Sequence, residues 1–152
     1  MSRLLGLDLG DRRIGVALAD AADGVASPLT TLPRRAEPAA DAAAIADLVA
    51  RHDAMEIVVG LPLDMSGTEG RQAAATRAWA AAVARRLGVP LTFRDERLSS
   101  HVAEGRVGPA KRGRSGGPPS RTQRDAHRAR IDREAAAVIL QDELDARRGS
   151  AR

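Results

Sequence analysis

Three extended runs stand together at the start of the chain before any helical periodicity appears, and that order restricts the fold more than any single residue does. Residues 3–9 (Arg-Leu-Leu-Gly-Leu-Asp-Leu) alternate loosely and end at Gly10-Asp11. Residues 14–19 (Ile-Gly-Val-Ala-Leu-Ala) follow a short polar turn and read as the returning arm of a β-hairpin. A third run over 25–32 contains Pro28, which cannot donate to a ladder and so predicts an edge strand or a bulge. From Pro38 the periodicity changes to that of a helix, with Ala42, Ile45, Leu48 and Val49 on one side. A strand over 56–59 comes next. After a loop over 60–68, an Ala-rich helix runs from Thr68 and Glu69 to Leu87, where Gly88 and Pro90 stop it. A strand over 91–94, a short helix over 98–104 and a last helix over 131–146 complete the pattern. The order βββαβαβα predicts an α/β three-layer sandwich with helices on both faces of a mixed five-stranded sheet, antiparallel in its first half and parallel in its second.

A chain of 152 residues with 43% hydrophobic content suits one domain over 1–152. It contains no cysteine, which excludes disulfides, thiolate metal sites and a Cys nucleophile. No apolar run reaches the roughly 20 residues of a membrane span, and the N-terminus lacks the apolar core of a signal peptide, so the expectation is a soluble cytoplasmic protein with no membrane partner. Trp79 and Phe93 are the only aromatic residues, too few for a base-stacking platform, so nucleic-acid binding would have to work on phosphate.

The charge is distributed unevenly. Residues 106–130 hold eight cations (Arg106, Lys111, Arg112, Arg114, Arg121, Arg124, Arg128 and Arg130) against Asp125, a local +7 in a chain of net +4, so the remainder sums to −3. Rich in Gly and Pro and without apolar periodicity, this stretch reads as a mobile basic loop suited to a phosphate backbone, or more plainly as a solvated linker. Residues 147–152 read as a disordered tail. The candidate nucleic-acid contacts are Lys111, Arg112, Arg114 and Arg121 in the basic stretch, together with Arg12, Arg13 and Arg97. Gly67 and Thr68 join them, because the loop 60–70 leaves a strand at its C-terminal end and leads into a helix whose first amides could hold a phosphate.

Three acids stand where a purely structural sequence avoids them. Asp8 interrupts an apolar strand, where a charge is unfavourable unless paired or metal-bound. Glu96 follows the strand 91–94 at its C-terminal end, and pairing with Arg94 or Arg97 is its plain alternative. Asp132 opens the last helix with Ala135, Ala136, Ile139 and Leu140 on its own face; its plain alternative is a first-turn acid complementing the helix dipole. If the first strand is central, the three could converge at one edge of the sheet. Clustered carboxylates require a counter-charge, and a hard cation with oxygen ligands, Mg²⁺ or Mn²⁺, is the natural one, suited to phosphodiester hydrolysis. His52, His101 and His127 show no metal-ligand spacing.

The stretch Gly6-Leu-Asp-Leu-Gly-Asp-Arg-Arg-Ile-Gly-Val-Ala-Leu-Ala-Asp20 resembles the N-terminal signature of the YqgF/RuvX family of RNase H-like pre-16S rRNA nucleases, which are related to Holliday junction resolvases. Three further blocks match in order: Val58-Val-Gly-Leu-Pro-Leu-Asp-Met-Ser-Gly-Thr-Glu-Gly70, Asp95-Glu-Arg-Leu-Ser-Ser100, and Ile131-Asp-Arg-Glu-Ala-Ala-Ala-Val-Ile-Leu-Gln-Asp-Glu-Leu144. The resemblance implies an RNase H-like fold, a metal-dependent nuclease active in 5′-end maturation of pre-16S rRNA, and catalytic acids at Asp8, Glu96 and Asp132. Asp64 departs from the frequent Asn, Ser99-Ser100 from the common Thr, and the loop before Ile131 is longer and richer in Gly and Pro than the family's. The partner expected is pre-rRNA or structured DNA, for a monomer or weak homodimer. A resolvase-like DNA endonuclease and a non-catalytic ribosome-assembly module are the competing readings. An actin-like kinase shares the opening hairpin, but 152 residues leave no room for its second lobe.

Overall fold

The structure is a computed structural model and describes residues 2–64, 66–96 and 99–150. Its elements are β1 (Arg3–Leu9), β2 (Arg13–Asp20), β3 (Val25–Pro33), α1 (Pro38–His52), β4 (Ala54–Pro62), α2 (Arg71–Leu87), β5 (Leu91–Glu96), α3 (Ser99–Val107) and α4 (Arg121–Ser150). The strands form one sheet in the order β3-β2-β1-β4-β5. The β1–β2 and β2–β3 pairs are antiparallel and the β1–β4 and β4–β5 pairs parallel, as the order of elements requires. The first strand is therefore central. Pro28 sits on the edge strand β3, opposite Ala17 and beside a register shift, so both readings of that proline hold.

Strand alternation sorts the core into two layers. Leu5, Leu7, Ile14, Val16, Ile57 and Val59 point to one face, where α1 and α2 cover them with Ile45, Leu48, Trp79 and Val83. Inside this layer the Trp79 Nε1–H donates to the buried Asp41 carboxylate at 2.9 Å, and Asp41 also accepts the Arg35 amide at 2.8 Å. Leu4, Ala17, Ala19 and Val58 point to the other face and pack under Ala136, Ile139, Leu140 and Leu144 of α4. A smaller cluster of Ala103, Ile131 and Ala135 joins α3 to α4.

Glycine lets α4 lie close on the sheet. A Cβ on Gly15 would overlap the Asp132 carbonyl, one on Gly60 would overlap Ile139 Cδ1, and one on Gly6 would stand 2.8 Å from Leu140 Cβ and 2.9 Å from the Ala136 carbonyl. No larger residue fits these positions unless the helix lifts.

The last helix differs from the sequence expectation at both ends. It begins at Arg121, not at 131, so the last ten residues of the expected basic loop are helical and Asp132 lies well inside α4. Ser120 supplies the start: its Oγ accepts the Gln123 amide at 3.1 Å, while Gln123 Oε1 accepts the Ser120 amide at 2.8 Å, a reciprocal capping box. The preceding turns are closed by Gly113 N–H to the Gly117 carbonyl at 3.1 Å and Gly116 N–H to the Gly113 carbonyl at 3.0 Å. At the far end α4 continues to Ser150, so 147–150 are not a tail. Arg147 pairs with Glu56 and Glu143, and Arg148 reaches the Gly24 carbonyl at 3.3 Å. Among the described residues no helix is long and apolar enough to cross a membrane.

Candidate active site

Asp8 is the next-to-last residue of central β1, with Gly15 beside it on β2. It shares a strand face with Leu4 and Gly6 and so points under α4, where the glycine at 15 brings the Asp132 turn down onto the sheet. Burial, and then the Asp132 charge, push the Asp8 carboxyl up to about 7. Asp132 is held from the opposite side: Arg13 Nε, at the start of β2, donates to its Oδ2 at 3.0 Å. Arg13 thereby anchors one of the three acids.

Glu96 ends β5 opposite Pro62 of β4. Its carboxyl is pushed up to about 8, first by burial, then by a hydrogen bond with Asp142 and the charge of that residue; Arg94 opposes the shift and Asp8 adds to it. Its Oε1 is buried with no hydrogen-bond partner. Asp142 is a residue that the sequence reading missed. It lies on α4 three residues past the inward-facing Ile139, and that spacing was the available signal.

The three acids line one cavity of about 400 Å³, together with Gly60, Ser100 and Arg128. They do not form the expected three-ligand centre: among the described residues no three His, Cys, Asp or Glu side chains stand close enough to hold one ion. The Asp132 charge acts on Asp8, and those of Asp142 and Asp8 act on Glu96. Without a cation between them, three carboxylates repel one another.

A second cavity of about 410 Å³ shares Asp132 and Arg128 with the first and adds Arg12, Arg13 and Arg124. Arg124, Arg128 and Asp132 follow one another at four-residue intervals and form one stripe of α4. The cations nearest the acids thus include two that were not singled out beforehand. The other expected contacts lie elsewhere. Arg112, Arg114 and Arg121 are exposed and line neither cavity, and Arg112 donates to the Gly116 carbonyl at 3.1 Å. Lys111 lines a separate cavity. Arg97 falls outside the described residues.

The loop after β4 reaches the acid cavity through Gly60, Pro62 and Leu63, but Gly67 and Thr68 do not line it. The Thr68 amide donates to the Asp64 carboxylate at 2.9 Å and the Gly67 amide to the Asp64 carbonyl at 3.0 Å, so neither is available to a phosphate. Asp64 also accepts the Ser66 amide and hydroxyl, closing a local turn.

Residues 2–146 match the RuvX family, described as Holliday junction resolvase. The chain belongs to that family. A pre-16S rRNA nuclease of Anaeromyxobacter dehalogenans strain 2CP-C is 47% identical over 145 residues, covering 95% of this chain and 98% of the relative. The pre-16S rRNA nuclease of Chloroflexus aggregans is 44% identical over 145 residues, covering 95% and 94%. With RuvX membership comes the reaction class: this protein is a nuclease, a hydrolase of phosphodiester bonds. Among solved structures, RuvC of Thermus thermophilus in complex with a Holliday junction substrate superimposes with a TM-score of 0.54 at 16% identity, covering 99% of this chain and 98% of that one. That likeness shows the RNase H-like fold of this RuvX chain, a mixed α/β sandwich.

Proposed function

We propose that this protein is a divalent-metal-dependent nuclease that matures the 5′ end of pre-16S rRNA, with Asp8, Glu96 and Asp132 as its acids and Arg12, Arg13, Arg124 and Arg128 leading the strand to them. The observation that carries the reading is Asp8: a carboxylate on the central strand, pushed up to about 7 by burial, sharing a cavity with two further acids and lying beside an arginine-lined cavity. The RNA assignment is supported by the name of the relatives at 44–47% identity.

The residues fit Mg²⁺ or Mn²⁺ in their donor chemistry. All are carboxylate oxygens, and Glu96 Oε1 is a buried acceptor with nothing to accept from. Asp8, Asp132 and Glu96 are the carboxylates that would hold the ion, once the side chains draw closer than they stand here. When bound, a divalent cation activates water and neutralises charge on the phosphate. The chain's own residues supply position. Arg13 fixes the orientation of Asp132, and the glycine at 60, which lines the cavity, leaves room for Ile139 of α4 to pack against β4. Arg128 lines both cavities, so a phosphate held by it would lie at the entrance to the acids.

The test is side-by-side cleavage of a precursor 5′ leader of 16S rRNA and of a four-way DNA junction by wild type and Asp8→Asn, with Mn²⁺ or Mg²⁺ added. Leader cleavage that requires both Asp8 and the metal is the expected result. Preference for the junction would instead favour a resolvase, and cleavage unaffected by Asp8→Asn would remove the acids from the reaction.

A further inference from the structure

Across α4 from the acids, a cavity of about 400 Å³ opens between β3, α3 and the N-terminal part of the helix. Its charged lining is Arg106, Lys111, Arg130, Arg133 and Glu134. Glu134 is committed to Arg106, whose Nη1 donates to its Oε1 at 3.1 Å. Among the described residues Lys111, Arg130 and Arg133 have no ion pair, and Arg130 Nε is buried with no hydrogen-bond partner. A buried guanidinium N–H without an acceptor is costly, and cations gathered around a cavity repel one another. Both costs are relieved by the same ligand, an anion with several acceptor oxygens.

Helical geometry places this cavity relative to the reaction. Arg128 and Arg130 are two residues apart, about 200° around an α-helix, so the stripe Arg124–Arg128–Asp132 and the pair Arg130–Arg133 lie on opposite sides. The helix between them is not free to roll. Thr31 Oγ1 on β3 donates to the Ala129 carbonyl at 2.6 Å, and the Ser120–Gln123 box fixes the first turn. Two cationic sites are thus held at a set separation, about the 10–12 Å width of a helix, which corresponds to three or four phosphates at about 3.4 Å per nucleotide of one strand.

We propose that the cavity of Arg106, Lys111, Arg130 and Arg133 is a second phosphodiester site, which grips the substrate's backbone a few nucleotides from the cut while the acids hold the scissile phosphate. The inference rests on the polynucleotide reading of the acid cavity and adds a length requirement to it. A strand long enough to engage both sides of α4 binds bivalently; one that reaches a single site does not.

Binding of single-stranded RNA of about 2 and about 16 nucleotides by the full chain, in EDTA, tests this by the gain in affinity with length, expected at about 10²-fold for wild type. In Arg130→Gln/Arg133→Gln the gain falls to about tenfold or less, and the salt slope for the long RNA flattens by roughly 1.4, at about 0.7 per lost phosphate. Arg130→Lys/Arg133→Lys restores most of the gain. Arg85→Gln/Arg86→Gln, which removes two exposed cations from the end of α2, leaves it intact. Thermal melting of each variant shows that the chain is folded. An unchanged length gain in Arg130→Gln/Arg133→Gln, or an equal collapse in Arg85→Gln/Arg86→Gln, overturns the second site. Failure of wild type to bind either RNA overturns the polynucleotide reading itself, and the second site with it.

Discussion

From Ile131 to Leu144, helix α4 buries eight side chains against the sheet and α3, whereas between Arg121 and Arg130 it buries none. The first of these regions is helical because tertiary packing rewards it. Ile139 and Leu140 are worth about 1.5–3 kcal/mol each in burial, and the three glycines beneath set how closely the backbone can approach. The other region has its cap, its helix-forming Arg and Ala residues, the Thr31 anchor, and hydrogen bonds from Gln123 to the Arg112 carbonyl and from Arg124 to the Pro119 carbonyl. One helix therefore joins a scaffold to a probe. Asp132 sits near their junction, so cations on the exposed part keep a fixed position relative to the acids.

The comparison breaks most severely at Gly15. In Gly15→Val the new side chain must displace the Asp132 carbonyl, and overpacking of this kind costs about 3 kcal/mol or more. Urea denaturation is expected to show that loss, together with abolished cleavage, and a variant with wild-type stability would show that α4 does not rest on the sheet as described. Asp8→Asn separates stability from chemistry. Cleavage falls by more than the roughly 10–100-fold typical of losing a residue that only supports a metal ligand. In EDTA at pH above 7, however, the variant melts higher than wild type, because it no longer buries a charge.

The pH dependence follows from the same acids. The folded-state values of Asp8 and Glu96 are raised, from 3.8 to about 7 and from 4.5 to about 8, so the folded state binds more protons than the unfolded state between about pH 4 and 8. Metal-free stability therefore falls as pH rises across that window. Mn²⁺ affinity rises over the upper part of it, as the ion replaces protons. Calorimetry in EDTA and Mn²⁺ titrations at pH 6 and 8 check the two signs.

Smaller effects belong to the exposed part of α4. Arg124→Gln/Arg128→Gln should weaken RNA binding about tenfold and flatten the salt slope by roughly 1.4, with melting unchanged. Ser120→Ala removes half of the capping box, at about 1 kcal/mol. Hydrogen exchange should quicken over the first turns of α4 and not over 131–144; protection lost equally in both regions would mean that the helix melts as a unit.

What could be read from the sequence divides along the same line. The strands, the edge position of Pro28 and the buried part of α4 were legible because burial writes a period into the chain. Asp8 and Asp132 stood out against that period. The helix over 121–130 buries nothing and has no period to read; its signal was Ser120-Arg-Thr-Gln123, a four-residue cap obscured by the surrounding glycine, proline and charge. Arg124 and Arg128 were missed as site residues for the same reason, since only the helix aligns them with Asp132. Asp142 was passed over because its meaning depends on Glu96, 46 positions earlier and on another element. The Trp79–Asp41 bond joins two helices in the same way, and no local pattern announces it.

The parallel order of β1, β4 and β5 also has a consequence in time. During synthesis the ribosome releases all five strands by Glu96, yet the sheet face bearing Asp8 has no cover until α4 emerges. A growing chain that has reached residue 130 carries two of the three acids on an open apolar surface and lacks the third. With the three acids acting together as proposed, cleavage waits until the helix docks, and hydrolysis of RNA near the translating ribosome is expected from finished molecules, not from nascent ones.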